Sequence, residues 1–258
     1  MPTVTIDRVE FGYDEVGEGP CIVFLHGWMC NRRFWDPLIA PLVRQRRVVS
    51  LDFRGQGESS IPADGYTVEQ LATDVRDVFT MLGIDEAVIV GHSMGGMVAQ
   101  QFALDHPSRT AGLVLVTTVA SALGDALISK RIDKAVTNGE ASFRDAFDRH
   151  FGDWFAPTTS EEVIQWVKDH MLRTPETVAL ALVRAYGQFD QTNRLGEIQV
   201  PTLVVGATSD NSAVPAQAQQ LADCIPGADL CVIGECGHFP MLERVEELAE
   251  RFAQFLGF

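Results

Sequence analysis

The chain has 258 residues, enough for one sizeable domain or a core with an inserted subdomain. Its 46% apolar and 21% charged residues match a soluble globular protein. With 35 acids against 20 bases its formal net charge is −15, which argues against nucleic acid or an anionic membrane surface as a partner. The first predicted elements are two short strands in a hairpin, Val4–Ile6 and Val9–Tyr13, closed off by Gly17-Glu18-Gly19-Pro20. Cys21–Leu25 is a continuous apolar run, as expected of a strand buried on both faces of a parallel sheet, and it ends in His26-Gly27-Trp28-Met29. From Asn31 to Val43, Phe34, Trp35, Leu38 and Leu42 fall on one side of a predicted helix.

Arg47–Asp52 reads as the next strand, leading into Asp52-Phe53-Arg54-Gly55-Gln56-Gly57-Glu58-Ser59. That loop lacks a third glycine in register and the Lys-Ser/Thr pair of a P-loop, so it is not read as a phosphate cradle. Thr67–Leu82 is an amphipathic helix, with Leu71, Val75, Val78, Phe79 and Leu82 on its core face and Gly83 after it. An apolar strand through Val90, a helix through Leu104 and a strand at Gly112–Val116 follow. From about Ser121 to Arg194 the strand–helix alternation stops. This region reads as helical, best at Asp145–Phe155 and Glu161–Leu172, and it is rich in Phe and Trp. Alternation resumes with strand Thr202–Val205, helix Pro215–Cys224, strand Leu230–Ile233 and helix Glu246–Leu256. The pattern predicts an α/β fold: a mostly parallel sheet of about eight strands flanked by helices. Residues 1–120 and 195–258 form the core, and 121–194 form an inserted helical cap over the C-terminal strand ends, where open α/β sheets bind ligands.

The five cysteines (Cys21, Cys30, Cys224, Cys231, Cys236) are odd in number and lack CxxC spacing. They read as reduced thiols, not as a disulfide framework or a zinc site. No apolar run reaches membrane-spanning length, and Met1–Arg8 has none long enough for a signal peptide. The expected location is therefore cytoplasmic.

The stretch that carries chemistry is Val90-Gly91-His92-Ser93-Met94-Gly95-Gly96. Gly-x-Ser-x-Gly at a strand-to-helix junction is the nucleophile elbow. The turn is so tight that side chains beside the serine would collide with neighbouring chain, and Gly91 and Gly95 avoid this by having no Cβ. Ser93 is the candidate nucleophile, held at a helix start where free N–H groups favour developing negative charge.

A serine hydroxyl needs a base, and the base needs an orienting acid. Of six histidines, His92 adjoins the serine and is expected to point away, while His26 is expected to order its own loop. His106 sits at a helix end, and His150 and His170 lie in the cap. His238 lies in a loop leaving the last strand, which is where the base belongs. Asp210, just beyond Thr202–Val205, fits the acid; Asp223 and Asp229 flank the wrong end of their connection.

The chain order Ser93, Asp210, His238 is that of α/β-hydrolases. The resemblance covers nearly the whole chain and rests on five features. They are His26-Gly27, Asp52-x-Arg54-Gly55-x-Gly57-x-Ser59, the elbow, the Asp210 loop and Gly237-His238-Phe239. It implies an α/β-hydrolase fold, and an oxyanion hole made by the backbone N–H groups of Trp28 and Met94. His26-Gly27-Trp28 also resembles pimeloyl carrier-protein methyl ester esterase. Phe151–Pro157 and Ala185–Asp190 resemble 3-oxoadipate enol-lactonases and small serine carboxylesterases. The expected activity is hydrolysis of small, largely apolar carboxylic esters or lactones through an acyl-enzyme on Ser93, with no metal or organic cofactor. The expected partner is a small-molecule ester or lactone, with no nucleic acid and no membrane. Phe147, Phe151 and Trp154 of the cap, with Phe239, are candidate substrate contacts, although most cap aromatics are expected to pack the cap's own helices.

Three alternatives share this fold. A carbon–carbon bond (meta-cleavage product) hydrolase needs cations for a substrate carboxylate, and Arg32, Arg33 and Arg54 are the candidates. A cofactor-free perhydrolase uses the same triad. A hydrolase-fold signalling receptor would turn over slowly and bind a protein. Epoxide hydrolases and haloalkane dehalogenases are excluded because they need aspartate at position 93.

Overall fold

The computed structural model describes residues 2–124 and 127–257. Eight strands form one sheet: β1 (Thr3–Ile6), β2 (Val9–Val16), β3 (Cys21–Leu25), β4 (Arg47–Leu51), β5 (Ala87–His92), β6 (Thr110–Val116), β7 (Thr202–Ala207) and β8 (Asp229–Ile233). Their spatial order is β1-β2-β4-β3-β5-β6-β7-β8. β1 pairs antiparallel with β2, and β2 antiparallel with β4. Every other pairing is parallel. The central strands are apolar at nearly every position because both of their faces are covered; β7 is buried throughout.

Five longer helices flank this sheet or follow its strands. The first three are α1 (Asp36–Leu42), α2 (Val68–Met81) and α3 (Met94–Asp105). α2 buries Leu71, Val75, Val78 and Phe79 on one face, and the Thr67 hydroxyl caps its N-terminus by accepting from the Gln70 N–H. Between β6 and β7 the chain leaves the sheet for α4 (Ile128–Thr137), α5 (Phe143–His150), α6 (Glu161–Met171) and α7 (Glu176–Tyr186). Residues 125 and 126 of this insert lie outside the described residues. After it come α8 (Pro215–Cys224), the short α9 (Pro240–Glu243) and α10 (Val245–Leu256).

Two predicted helices are divided. The 31–43 stretch is a 3-10 turn, Arg32–Trp35, followed by α1. Asn31 starts the first piece by accepting from the Arg33 N–H at 3.0 Å, and Pro37 sits in the first turn of the second. The 145–155 stretch begins earlier, at Phe143, because the Ser142 hydroxyl caps the Asp145 N–H at 3.1 Å. It ends at His150 and continues as a 3-10 turn, Phe151–Trp154.

The parallel register brings the C-terminal ends of β5, β6, β7 and β8 to one edge, with His92 opposite Val116. Ser93 follows β5, Asp210 lies just past β7 and His238 just past β8. Positions far apart in sequence therefore meet at this edge, under the insert.

Candidate active site

Ser93 has φ +52° and ψ −119°, a backbone conformation that non-glycine residues seldom adopt. Its surroundings hold it there. The Ser93 N–H donates to Val116 O at 3.0 Å, and its carbonyl accepts from the Thr118 hydroxyl at 2.6 Å and the Gly96 N–H at 2.9 Å. A Cβ on Gly91 would lie 2.3 Å from Gly95 O, and one on Gly95 would lie 2.3 Å from Leu25 O. Both contacts are with backbone, which cannot swing aside, so strand, turn and helix close only around glycine.

The Ser93 hydroxyl donates to His238 Nε2 at 2.9 Å, and His238 Nδ1–H donates to Asp210 Oδ2 at 2.8 Å. The other Asp210 oxygen accepts from the Ser212 and Ala213 N–H groups at 2.7 and 3.0 Å. The Asp210 carboxylate is fully buried, which sharpens its hold on the imidazole. These three side chains form one continuous relay. It leaves a lone pair of His238 Nε2 facing the serine proton.

Ser93 and His238 line a small, partly open cavity of about 20 Å³. Trp28, Met94, Trp154 and Phe239 line it. Phe147 and Phe151 do not: both are buried behind Trp154, with ring centroids 6.0 and 6.1 Å from its ring. Position in the insert alone does not distinguish an inward-facing aromatic from one that packs its neighbours. The rest of the wall includes Met97 and Cys30 from the core and Leu127, Ser129, Met171 and Tyr186 from the insert. Sequence reading singled out none of these as wall residues. Ser129 and Tyr186 share a hydrogen bond, the phenol donating to the serine hydroxyl.

No lysine or arginine lines this cavity among the described residues. Buried Arg32 is bound to Asp52, to Asp14 at 2.7 Å and to Glu58 at 2.5 Å. Arg54 makes a two-pronged pair with Asp74 at 2.6 and 2.5 Å. Arg33 pairs with Asp14 at 3.1 Å. The 52–59 loop thus braces the turn that carries Trp28.

His26 orders its loop as its position suggests. Its Nδ1–H donates to Gly27 O at 2.8 Å and its Nε2 accepts from the Phe53 N–H at 3.1 Å. His92 does not point away from the site. Its ring lies 4.9 Å from the His238 ring, centroid to centroid, and its Nε2–H donates to His238 O at 2.8 Å. Burial pushes the pKa of both residues down from 6.5, that of His92 well down, so both rings are neutral.

Among the described residues no helix is long and apolar enough to cross a membrane. None of their His, Cys, Asp and Glu side chains form a group of three or more that could hold a metal ion.

A non-heme chloroperoxidase of Kitasatospora aureofaciens is 31% identical over 255 residues, 92% of each chain. Among solved structures, an N-acyl homoserine lactone degrading enzyme matches with a TM-score of 0.89 at 33% identity, over 98% of this chain and 100% of its own. The enol-lactonase from Burkholderia xenovorans matches with a TM-score of 0.90 at 29% identity, over 100% of both chains. The family model described as the alpha/beta hydrolase family matches residues 22–251, nearly the whole chain. The eight-stranded sheet and the glycine-flanked serine turn agree with that match, and this protein belongs to the alpha/beta hydrolase family.

Proposed function

We propose that the protein is a serine hydrolase that cleaves small, largely apolar carboxylic esters or lactones through an acyl-enzyme on Ser93. The observation that carries this reading is the unbroken hydrogen-bond chain from Ser93 Oγ through His238 to Asp210, at 2.9 and 2.8 Å. His238 Nε2 takes the hydroxyl proton as Ser93 attacks the carbonyl carbon. Asp210 keeps the proton on Nδ1 and stabilises the imidazolium. The backbone N–H groups of Trp28 and Met94 stabilise the oxyanion, each donor contributing about 2.7–4 kcal/mol at the transition state. His238 then protonates the leaving alkoxide, which in a lactone stays tethered to the acyl group. Water, deprotonated by His238, releases the acid and restores Ser93.

Residues 121–194 act as the cap of this site, and their Leu127, Ser129, Trp154, Met171 and Tyr186 set the space for the acyl chain. The neutral wall supports an uncharged substrate, because a carboxylate buried there without a cation would be strongly disfavoured. The likeness to a lactone-degrading enzyme and an enol-lactonase supports the ester and lactone class. The meta-cleavage reading loses its proposed cations, since Arg32, Arg33 and Arg54 are committed elsewhere.

The test is a panel of short and medium neutral acyl esters and lactones on the unaltered protein and Ser93→Ala. Turnover by the first, and a loss of about a million-fold in kcat by the second, is the expected result. Equal turnover by both would remove Ser93 from the mechanism. The chloroperoxidase relative supports a second reading, peracid formation by the same relay. Peracid made from acetate and hydrogen peroxide faster than ester is cleaved would favour it.

A further inference from the structure

The His238 loop is gripped by one side chain that the relay does not include. Glu243, at the end of α9, receives four hydrogen bonds. Its Oε1 accepts from the Phe239 N–H at 3.0 Å. Its Oε2 accepts from the Gly237 N–H at 3.0 Å, the Ala156 N–H at 3.0 Å and the Thr159 hydroxyl at 2.5 Å. Two of these donors bracket His238 in sequence. The other two belong to the insert, between the Phe151–Trp154 turn and α6.

The remaining bonds at this junction complete the grip. The His238 N–H donates to Trp154 O at 2.6 Å. The His238 carbonyl accepts from the Thr117 hydroxyl at 3.0 Å as well as from His92. Asn211, beside Asp210, donates to Asp153 O at 3.1 Å. A Cβ on Gly237 would lie 2.4 Å from Trp154 O and 2.7 Å from Ala156 N, so the two loops touch backbone to backbone. The main-chain N–H and C=O of His238 are both committed, and Glu243 joins the loop to the insert by two hydrogen bonds on each side.

We propose that Glu243 is a positioning residue for His238: its carboxylate locks the base's loop to the 156–159 segment of the insert and so sets the imidazole's reach to Ser93. A carboxylate is suited to this because it only accepts, and here it collects four donors without needing a proton. The inference rests on the serine-hydrolase reading, in which His238 is the base.

Glu243→Ala removes all four acceptor contacts. Glu243→Gln keeps one acceptor oxygen, which can occupy the Oε2 position and retain its three donors, while its amide group faces the Phe239 N–H. Three readouts are compared with the unaltered protein. They are the rate at which a neutral p-nitrophenyl alkylphosphonate modifies Ser93, kcat and KM on a neutral ester, and the low-field proton resonance of His238 Nδ1–H. Glu243→Ala is expected to lose about 10- to 100-fold in phosphonylation rate and in kcat together, the scale of a misplaced catalytic group, with KM little changed. Its Nδ1–H resonance broadens through faster exchange, and Glu243→Gln recovers most of the loss. If Glu243→Ala does not fold, Glu243→Gln carries the test through its partial loss and the same resonance. The proposal is overturned if folded variants are phosphonylated at the unaltered rate with the resonance intact, or if the loss falls on KM alone. If the unaltered protein is not phosphonylated on Ser93, the serine-hydrolase reading fails instead, and the resonance still reports the loop's grip.

Discussion

Ser93 sits in a conformation that costs about 1–3 kcal/mol, and the hydrogen bonds to Val116, Thr118 and Gly96 explain why it persists. The positions of Ser93, Asp210 and His238 were readable because each follows a recognisable apolar strand, so chain order translated into position on one sheet edge. His92 was not readable in that way. Adjacency to Ser93 says nothing about the rotamer, and its ring found a buried acceptor in the His238 carbonyl. Two buried neutral histidines have a measurable consequence. His26 and His92 have folded-state pKa values below their ordinary 6.5, so the unfolded chain binds more protons as pH falls through 6.5. Their contribution to stability is present above that pH and is lost below it, at up to about 1.4 kcal/mol per pH unit for each histidine. Chemical denaturation between pH 7.5 and 5.5 should show falling stability on the acid side. Replacing His92 by Gln should flatten that slope, and an unchanged slope would remove His92 from the explanation.

Single elements differed in how plainly the sequence announced them. β3 and α8 have the bounds that their apolar run and Pro215 start signal imply. In the insert, α4 and α7 did not stand out from a stretch read only as helical. α4 follows Leu127, which makes no side-chain cap, and α7 follows Pro175 with an almost unbroken apolar run that lacks helical contrast. The four-residue α9 is too short for periodicity to mark, although it ends in Glu243. The elbow makes the sharpest prediction at this scale. Gly95→Ala places a methyl 2.3 Å from Leu25 O and 2.5 Å from His26 O, both backbone atoms, so the strand and helix must separate. A loss of at least about 2 kcal/mol in unfolding free energy is expected, at the upper end of ordinary overpacking. A variant as stable and as active as the unaltered protein would show that the turn is looser than described.

Across the whole molecule, fold class and family follow from the strand–helix alternation and its one interruption, but the substrate does not. Pocket shape depends on which side chains of a distant insert turn inward, and residues such as Ser129, Met171 and Tyr186 meet Ser93 only after the chain has folded over the sheet. Among the described residues no lysine or arginine lines the wall they build, while the protein as a whole is strongly acidic. A neutral ester should therefore be cleaved with kcat/KM at least about 10-fold above an analogue bearing a carboxylate on the acyl chain, since that charge would be buried unpaired. Equal values, measured at low ionic strength, would mean that the acyl chain lies outside the described cavity.

Catalysis by this relay requires Ser93 to become covalently acylated. Acid-quenching the protein within milliseconds of mixing with a p-nitrophenyl ester, followed by intact mass and peptide mapping, tests this directly. The expected result is one added acyl mass on the peptide bearing Ser93, matched by a burst of about one p-nitrophenol per protein. Steady ester turnover with no adduct and no burst, or an adduct on another residue, would contradict it.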